Sequence, residues 1–276
     1  MAQFMTSLAF RLYGYLAMHL CGIWLLVVQL ARLCNGRPAK HFNFVRQERK
    51  VFIVTGGMDG VGRKTVERLM NLGAFVIITG RRPSNSPELA QSFESLATIS
   101  SCFLYVQLEL ERMTDTVGFC TMVKDKFERL DGLVCNAGTL GGTYRLTDEG
   151  LEAQQAVNYL SCVIMLNHLR PMLKATQGRV VLVTSAVQCV AYCNLDDFMF
   201  SKAHSSCLGY VQSKCAQIAL ARHAGPTLLR RDGIAVNAVH PGIVNTALYS
   251  SLLIRMMGKF LFISKWQTGS RANQVL

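Results

Sequence analysis

Tyr210 and Lys214 are four residues apart in a helical pattern, so both side chains project from one face of the predicted helix. A free tyrosine titrates near pH ~10, which is too high for proton exchange at neutral pH. An ammonium beside the phenol stabilises the phenolate and lowers the pKa of the tyrosine. The pair therefore predicts a tyrosine that passes a proton to or from a substrate oxygen. The alternative is an exposed pair of side chains with no function.

Two further polar residues complete the predicted catalytic group. Ser185 ends the apolar run RVVLVTS, at the carboxyl edge of a predicted strand, where parallel sheets place their active sites. Asn158 lies in the apolar stretch VNYLSCVIML, where an amide needs a buried partner or a bound water. We predict that Ser185 hydrogen-bonds the substrate oxygen and that Asn158 holds a water linking Lys214 to solvent. For Asn158, a satisfied core asparagine is the alternative.

A glycine-rich turn joins an apolar strand to an amphipathic helix within residues 51–73. Strand, glycine turn and helix in this order form the dinucleotide-binding arrangement. Glycines let the backbone turn sharply and approach a pyrophosphate, while the helix N-terminus offers N–H groups to the phosphate charge. A tight turn without a ligand would use glycines as well. The predicted cofactor-binding residues of this turn are Thr55, Gly56, Gly60, Val61 and Gly62.

Residues after the later strands indicate which dinucleotide binds. The second strand is followed by Arg81 and Arg82, whose guanidinium groups suit a 2′-phosphate. An acidic residue at this place would favour NAD instead. We therefore expect NADP(H) to be preferred, with NAD(H) as the alternative if both arginines are only solvated loop residues. The residues predicted to line the same crevice further along the chain are Glu109, Asn136, Ala137 and Gly138.

Apolar runs alternate with helical patterns from residue 51 onward. We predict strands near 51–55, 74–79, 102–107, 132–135, 178–184 and 233–239. We predict helices near 61–72, 86–97, 113–129, 148–173, 207–223 and 246–258. Strands that are apolar throughout are typical of a parallel sheet covered on both faces. The sequence therefore predicts an α/β fold, a Rossmann-type doubly wound parallel sheet with helices on both faces.

Composition narrows the classes of partner. Half of the 276 residues are hydrophobic and the formal net charge is +12. Because the basic residues do not form one stripe with interleaved aromatics, we expect no nucleic-acid partner; the charge suits an anionic membrane surface or cofactor. Ten cysteines without paired C-x-x-C spacing predict no metal site. Cys102, Cys135 and Cys162 fall in apolar runs and are predicted to be buried thiols in a reducing compartment.

Residues 12–31 are mostly apolar and numerous enough to span a bilayer as a helix. The short segment 1–11 contains one charge, Arg11, whereas the basic linker 32–50 contains six lysines and arginines against one glutamate. The positive-inside rule therefore predicts a transmembrane anchor that leaves the following domain in the cytosol. A cleaved signal peptide, giving a secreted protein, is one alternative. Insertion into a single leaflet, as at a lipid droplet, is another.

Taken together, these motifs resemble the short-chain dehydrogenase/reductase family. The resemblance covers about residues 50–258, with the dinucleotide-binding domain predicted at 51–258, and adds the motif His240-Pro241-Gly242. It implies a hydride transfer in which the catalytic residues are Asn158, Ser185, Tyr210 and Lys214. It further implies that Tyr210 and Lys214 also contact the cofactor, and that Pro241, Gly242 and Thr246 contact its nicotinamide end.

A long interval between Ser185 and Tyr210 is similar to the membrane-anchored, retinol-dehydrogenase-like branch of the family. The segments NLDD and PGIVNTALY carry this likeness. The branch implies an enzyme of the endoplasmic-reticulum membrane that acts on a lipid alcohol, aldehyde or ketone, in particular on polyprenol or dolichal-type isoprenoids. Retinoids and steroids are the alternative substrates. Dimers in the family use two helices, including the one that bears Tyr210, but its membrane-bound members vary, so the resemblance leaves a homodimer and a monomer as alternatives.

Two features depart from the family pattern. Glu109 stands where the family usually has aspartate at an adenine contact. The tail 259–276 does not resemble the further helix and edge strand that the family adds after the predicted helix near 246–258. A missing edge strand would leave backbone groups unpaired and remove part of the substrate wall. The alternative hypothesis is therefore a shortened, non-catalytic form with a binding or regulatory role.

Overall fold

One sheet of six parallel strands forms the centre of the computed structural model, which describes residues 44–141, 143–185, 195–201 and 205–241 and eight positions between 12 and 28. The strands are β1 (Val51–Thr55), β2 (Phe75–Gly80), β3 (Phe103–Gln107), β4 (Gly132–Cys135), β5 (Arg179–Val183) and β6 (Ala235–Val239). Their order across the sheet is β3-β2-β1-β4-β5-β6. This is the doubly wound order, and it confirms the predicted Rossmann-type fold.

Helices cover both faces of the sheet. They are α1 (Gly60–Asn71), α2 (Pro87–Ala97), α3 (Met113–Lys126), α4 (Ala153–Gln155), α5 (Ser161–Ala175), α6 (Ser206–His223) and α7 (Gly225–Asp232). A π-helical turn, Ala156–Leu160, joins α4 directly to α5. This turn contains Asn158, so the backbone is locally rewound at one of the predicted catalytic residues.

Neighbouring residues of each strand enter two separate apolar cores. Ile53 of β1 packs in the core that contains Phe119 of α3. Val54, the next residue, packs in the core that contains Val66 of α1 and Leu89 of α2. Because both faces are covered, neither face of the strand tolerates polar side chains, which explains the continuous apolar runs in the sequence.

The predicted strands agree with the structure to within two residues, but two helix boundaries were wrong. The helix predicted from residue 148 begins at Ala153, because Gly150 takes a positive φ of 76° within a turn. Glu149 instead accepts hydrogen bonds from the first backbone N–H groups of α3. The helix predicted to run to residue 129 ends at Lys126, since Phe127 has an extended backbone.

Helix α7 was not predicted. Its first residues, Gly225 and Pro226, are typical of a helix break. Proline is tolerated in the first helical turn, however, because the backbone N–H that it lacks has no partner there. The predicted helix 246–258 and the tail 259–276 lie outside the described residues.

Burial of the cysteines was predicted correctly in two cases out of three. Cys135 and Cys162 are buried free thiols, whereas Cys102 is exposed. The prediction for Cys102 was wrong because this residue lies just before β3, which is an outer strand of the sheet, and outside the strand itself.

Eight positions of the predicted anchor are described, and all of them are helical. Seven are large apolar residues with exposed side chains, namely Leu12, Tyr13, Leu16, Leu20, Ile23, Trp24 and Val27. No helix within the described positions has the length and apolar character needed to cross a membrane. Most of the segment 12–31 lies outside those positions, so the anchor stays a prediction.

Candidate active site

A cavity of about 470 Å³ opens at the carboxyl ends of the strands. Most of the residues predicted from the sequence line it: Gly56, Gly60, Val61, Arg81, Arg82, Glu109, Asn136, Ala137, Gly138, Ser185, Tyr210, Lys214 and Pro241. Thr55, Gly62 and Asn158 lie behind this wall, while Gly242 and Thr246 fall outside the described residues. Residues from separate parts of the chain therefore share one concave site, as is usual in doubly wound folds.

Thr55 and Asn136 hold the glycine turn against the loop after β4. The Thr55 hydroxyl accepts hydrogen bonds from the backbone N–H groups of Asn136 and Ala137, both at 3.0 Å. In return, the Asn136 amide donates to the carbonyl of Thr55 at 2.9 Å and to that of Gly56 at 3.1 Å. The two loops form one rigid unit, so Thr55 supports the floor of the cavity from below.

Gly62 is required by a close approach of two chain segments. A Cβ atom at this position would overlap both the Gly56 carbonyl and the amide of Asn136. Gly56 itself has a positive φ of 61°, which favours glycine. The glycine triplet therefore creates an open cradle at the N-terminus of α1, where backbone N–H groups suit a pyrophosphate.

Arg82 marks the charged end of the cavity. Its guanidinium lies 3.5 Å from the carboxylate of Asp59, a residue of the glycine turn, and both side chains are exposed. The backbone beside it is held by β3, because Tyr105 donates to the Arg82 carbonyl at 2.7 Å and Gln107 to the Arg81 carbonyl at 3.4 Å. An anion at this end would meet two arginines, one of them already partly neutralised.

Glu109 supplies an acceptor that has no hydrogen-bond partner among the residues that the structure describes. Its Oε1 atom is buried there, although the residue lines the cavity. Burying an acceptor without a partner is costly, so a donor such as the amino group of an adenine suits this position. The glycine cradle, the arginines and this carboxylate together fit a bound dinucleotide.

Lys214 lies at the opposite, buried end. Its ammonium donates to the carbonyl of Val183 at 2.8 Å and to the Gln217 side chain at 3.1 Å, and it lies 5.7 Å from the centre of the Tyr210 ring. Only 3% of the residue is exposed, and this burial lowers the pKa of Lys214 to about 8. The structure thus brings the predicted Tyr–Lys pair together at the buried end of the cavity.

Asn158 is fully buried and its amide is satisfied by protein groups. The side chain accepts from the Thr139 backbone N–H at 2.8 Å and donates to the Thr139 carbonyl and to the Ser213 hydroxyl. Its Oδ1 atom and the Lys214 ammonium nevertheless both face Gly138, since a Cβ at this glycine would lie 3.3 Å and 3.5 Å from them. Asn158 therefore joins the loop after β4 to α6. That it also holds a water next to Lys214 stays a prediction.

Two glutamines fasten the first turn of α6, which carries Tyr210. Gln154 donates to the Ser206 carbonyl at 3.0 Å and Gln155 donates to the Gly209 carbonyl at 3.1 Å. Tyr210 and Ser185 are both buried and both line the cavity. Helix α4 thus holds the start of α6, and with it Tyr210, in position.

The residues of this arrangement that sequence reasoning missed include Asp59, Thr139, Gln154, Gln155, Ser213 and Gln217. Gln217 is three residues after Lys214, so helical spacing alone would place both on one face. Asp59 carries a charge inside a glycine-rich turn, which is a second available signal. The contacts of Thr139 and Ser213 with Asn158 join segments that are distant in sequence, and no local pattern indicates them.

The fold and the cavity described above are those of a known protein family. The family model for short chain dehydrogenases matches residues 50–254, so the chain belongs to the short-chain dehydrogenase/reductase family. It is accordingly a dehydrogenase that acts on CH–OH groups with NAD(P). Among the described residues, no group of three or more histidine, cysteine or acidic side chains could hold a metal ion.

Two curated relatives place the chain within this family. Polyprenol dehydrogenase of Homo sapiens is 32% identical over 260 residues, which cover 90% of this chain and 78% of that protein. Retinol dehydrogenase 14 of Homo sapiens is 30% identical over 226 residues, covering 77% and 67%. These relatives confirm the predicted resemblance to the retinol-dehydrogenase-like branch.

Solved structures agree on the fold. A metagenomic short-chain oxidoreductase in complex with NADP is similar with a TM-score of 0.59, over 79% of this chain and 92% of that chain. The sequence identity of 23% makes this a likeness of fold alone.

Proposed function

We propose that the chain is a membrane-anchored oxidoreductase that transfers a hydride between NADP(H) and a lipid alcohol or carbonyl compound. One observation carries the proposal: a single cavity joins an arginine-rich end, at Arg81 and Arg82, to a buried end that contains Tyr210 and Lys214. A dinucleotide lying between these ends would bring its reactive ring to the tyrosine.

Preference for NADP(H) follows from the charges at the open end. Arg81 and Arg82 suit a 2′-phosphate, through charge-assisted hydrogen bonds. Asp59 opposes this preference, because it lies 3.5 Å from Arg82 and competes for the same guanidinium. We therefore propose that NADP(H) binds more tightly than NAD(H) by a modest factor and that NAD(H) still binds.

In the proposed reduction, the chain's own residues handle the proton. When bound, NADPH would supply the hydride. Tyr210 donates its phenolic proton to the substrate oxygen, which Ser185 holds through a second hydrogen bond. The Lys214 ammonium, 5.7 Å from the tyrosine ring, stabilises the phenolate that remains. Since the pKa of Lys214 is about 8, we expect this support to weaken above that pH.

Two features support a lipid substrate. The relatives named above are a polyprenol dehydrogenase and a retinol dehydrogenase, and we propose a polyprenol or dolichal-type isoprenoid here. The described positions between 12 and 28 expose seven large apolar side chains, which suit the bilayer in which such a substrate dissolves. On this proposal the enzyme lies in the endoplasmic-reticulum membrane, with its domain in the cytosol.

Turnover by the full chain in liposomes tests the proposal. Polyprenal, retinal and a ketosteroid are each supplied with NADPH, and the alcohol product is measured by chromatography. We expect polyprenal to be reduced fastest, and the Tyr210→Phe variant to form no product above background. Faster reduction of retinal or of the steroid would overturn the substrate class. Failure of every substrate with folded protein would favour the non-catalytic form.

A further inference from the structure

Lys214 carries a charge into a site that offers mostly neutral partners. Burial disfavours the ammonium form of a lysine, so the groups that contact it decide whether it stays charged. The first contact is the backbone carbonyl of Val183, at the end of β5. The second is the amide oxygen of Gln217, one helical turn further along α6, at 3.1 Å.

Gln217 is held in place by a contact on its other side. The residue is fully buried, and its Nε2 atom donates to the sulfur of Cys162 at 3.5 Å. Cys162, in the first turn of α5, donates in turn to the backbone carbonyl of Asn158 at 3.3 Å. Lys214 and Asn158 are therefore joined by a chain of hydrogen bonds behind the cavity.

We propose that Gln217 is a positioning residue that, through Cys162, couples the ammonium of Lys214 to the π-helical turn at Asn158. Its amide oxygen stabilises the charged lysine, and its amide nitrogen fixes the orientation of that oxygen. The inference rests on the proposed function, in which Lys214 must be charged to support the Tyr210 phenolate.

Three titratable groups face Lys214 from the elements packed around it. They are Tyr210 on α6 itself, Cys162 on α5 and Cys135 at the end of β4. Hydrogen bonding with Cys162, together with burial, holds the pKa of Cys135 well above its usual value. Cys135 is therefore an uncharged neighbour at neutral pH. The same hydrogen bond with Cys135 lowers the pKa of Cys162 to about 7, so Cys162 titrates near neutral pH. The oxygen of Gln217 is the acceptor beside the ammonium that does not change with pH.

The direct test is an NMR titration of Lys214 in the full, detergent-solubilised chain without cofactor. Lysine labelled with ¹³C at Cε gives one signal per residue, and Lys214→Arg assigns the signal. We expect Gln217→Leu to lower the titration midpoint by about one pH unit, because the ammonium loses an acceptor. We expect Gln217→Glu, which keeps the shape and adds a negative charge, to raise the midpoint.

Gln212→Leu is the matched control. It also replaces a fully buried glutamine of α6, but its amide donates to the Phe198 carbonyl at 2.8 Å rather than contacting the lysine. We expect its midpoint to equal that of the wild type. Should Gln217→Leu fail to fold, the shift in Gln217→Glu decides. Wild-type midpoints in both Gln217 variants would overturn the proposal.

Substitutions of Cys162 test the second half of the chain of hydrogen bonds, which runs from Gln217 through Cys162 to Asn158. Cys162→Ala leaves the Gln217 nitrogen without its acceptor, so we expect a smaller shift in the same direction as Gln217→Leu, and Cys162→Ser should restore the midpoint. An unchanged midpoint in Cys162→Ala would overturn the coupling to Asn158.

Because this titration needs no cofactor, its result does not depend on the proposed function. If the midpoints move as expected but NADPH does not bind, the proposed function alone fails.

Discussion

The two ends of the cavity hold positive charge in opposite ways. At the open end, Arg82 pairs with Asp59 while both side chains remain more than half exposed. At the closed end, Lys214 is 3% exposed and contacts the neutral oxygens of Val183 and Gln217. Water screens the first charge, so its interactions are weak and sensitive to salt. The second charge is barely screened, so each contact there has a larger effect.

This contrast separates recognition from chemistry. The open end can alter cofactor preference in small steps without disturbing the fold, because its charges are solvated. A substitution at the closed end has a large effect on activity or on stability, because the charge there is buried and its polar groups depend on one another. We therefore expect substitutions at the closed end to cause the large effects and those at the open end to cause small, graded ones.

Tyr210→Phe should cause the largest loss. Removing the phenolic hydroxyl removes the proton donor, for which general acid catalysis typically contributes about 10²- to 10⁴-fold in rate. We expect kcat to fall by this factor in a polyprenal reduction assay. NADPH affinity, measured by fluorescence, serves as the control and should stay within about twofold. A variant that kept full turnover would refute the proton-transfer role.

Lys214→Met should abolish activity and yet stabilise the fold. The pKa of Lys214 is lowered to about 8 in the folded protein, against ~10.4 for a free lysine. The folded state therefore binds fewer protons than the unfolded state between these values, so the charge costs stability below pH 8. This cost disappears as the pH rises toward ~10.4. We expect a gain of up to a few kcal/mol at pH 7, shrinking at pH 10.

Thermal unfolding at both pH values measures this gain. Equal melting temperatures for the variant and the wild type at pH 7 would show that the buried ammonium is fully compensated by its contacts. The buried charge at the closed end would then cost the fold no more stability than the exposed charge at the open end, and the contrast between the two ends would be contradicted.

Gly62→Ala disturbs the contact between the glycine turn and the loop after β4. Its Cβ would displace the Asn136 amide, which holds the glycine turn to the loop after β4. We expect a loss of about 1–3 kcal/mol in the free energy of unfolding and weaker binding of NADPH. Gly118→Ala in α3 is the control, since a Cβ there would meet no atom of the described residues within 4 Å outside its own helix. It should stabilise the chain by about 0.5–1 kcal/mol.

Denaturant unfolding of both variants checks this pair. If both substitutions changed the free energy of unfolding equally, the close approach at Gly62 would not contribute to stability.

Asp59→Ser should have the smallest effect. It removes the carboxylate that competes for Arg82, and exposed pairs of this kind contribute about 0.2–1 kcal/mol. We expect NADPH to bind about two- to fivefold more tightly at low salt, a gain that fades at high salt, with NADH affinity unchanged. A similar gain for both cofactors would show that Asp59 does not act through the 2′-phosphate.

Local patterns in the sequence were sufficient to predict much of the site. Three motifs are each only a few residues long: the glycine turn, the arginines after β2 and the Tyr210–Lys214 pair. The geometry within each motif therefore follows from a single strand, turn or helix. The Asp59–Arg82 pair and the Cys162–Gln217 contact join separate elements, and only the fold shows them. The helix start near residue 148 was wrong for the same reason, because Glu149 serves the end of a different helix.

A parallel titration of NADPH and NADH against the full, detergent-solubilised chain tests the central claim most directly. Binding is followed by the fluorescence of the reduced nicotinamide, with thermal unfolding to show that the protein is folded. The account predicts saturable binding of both cofactors, with NADPH the tighter of the two. If folded protein bound neither, the chain would hold the residues of a dehydrogenase without using them, and the account would be contradicted.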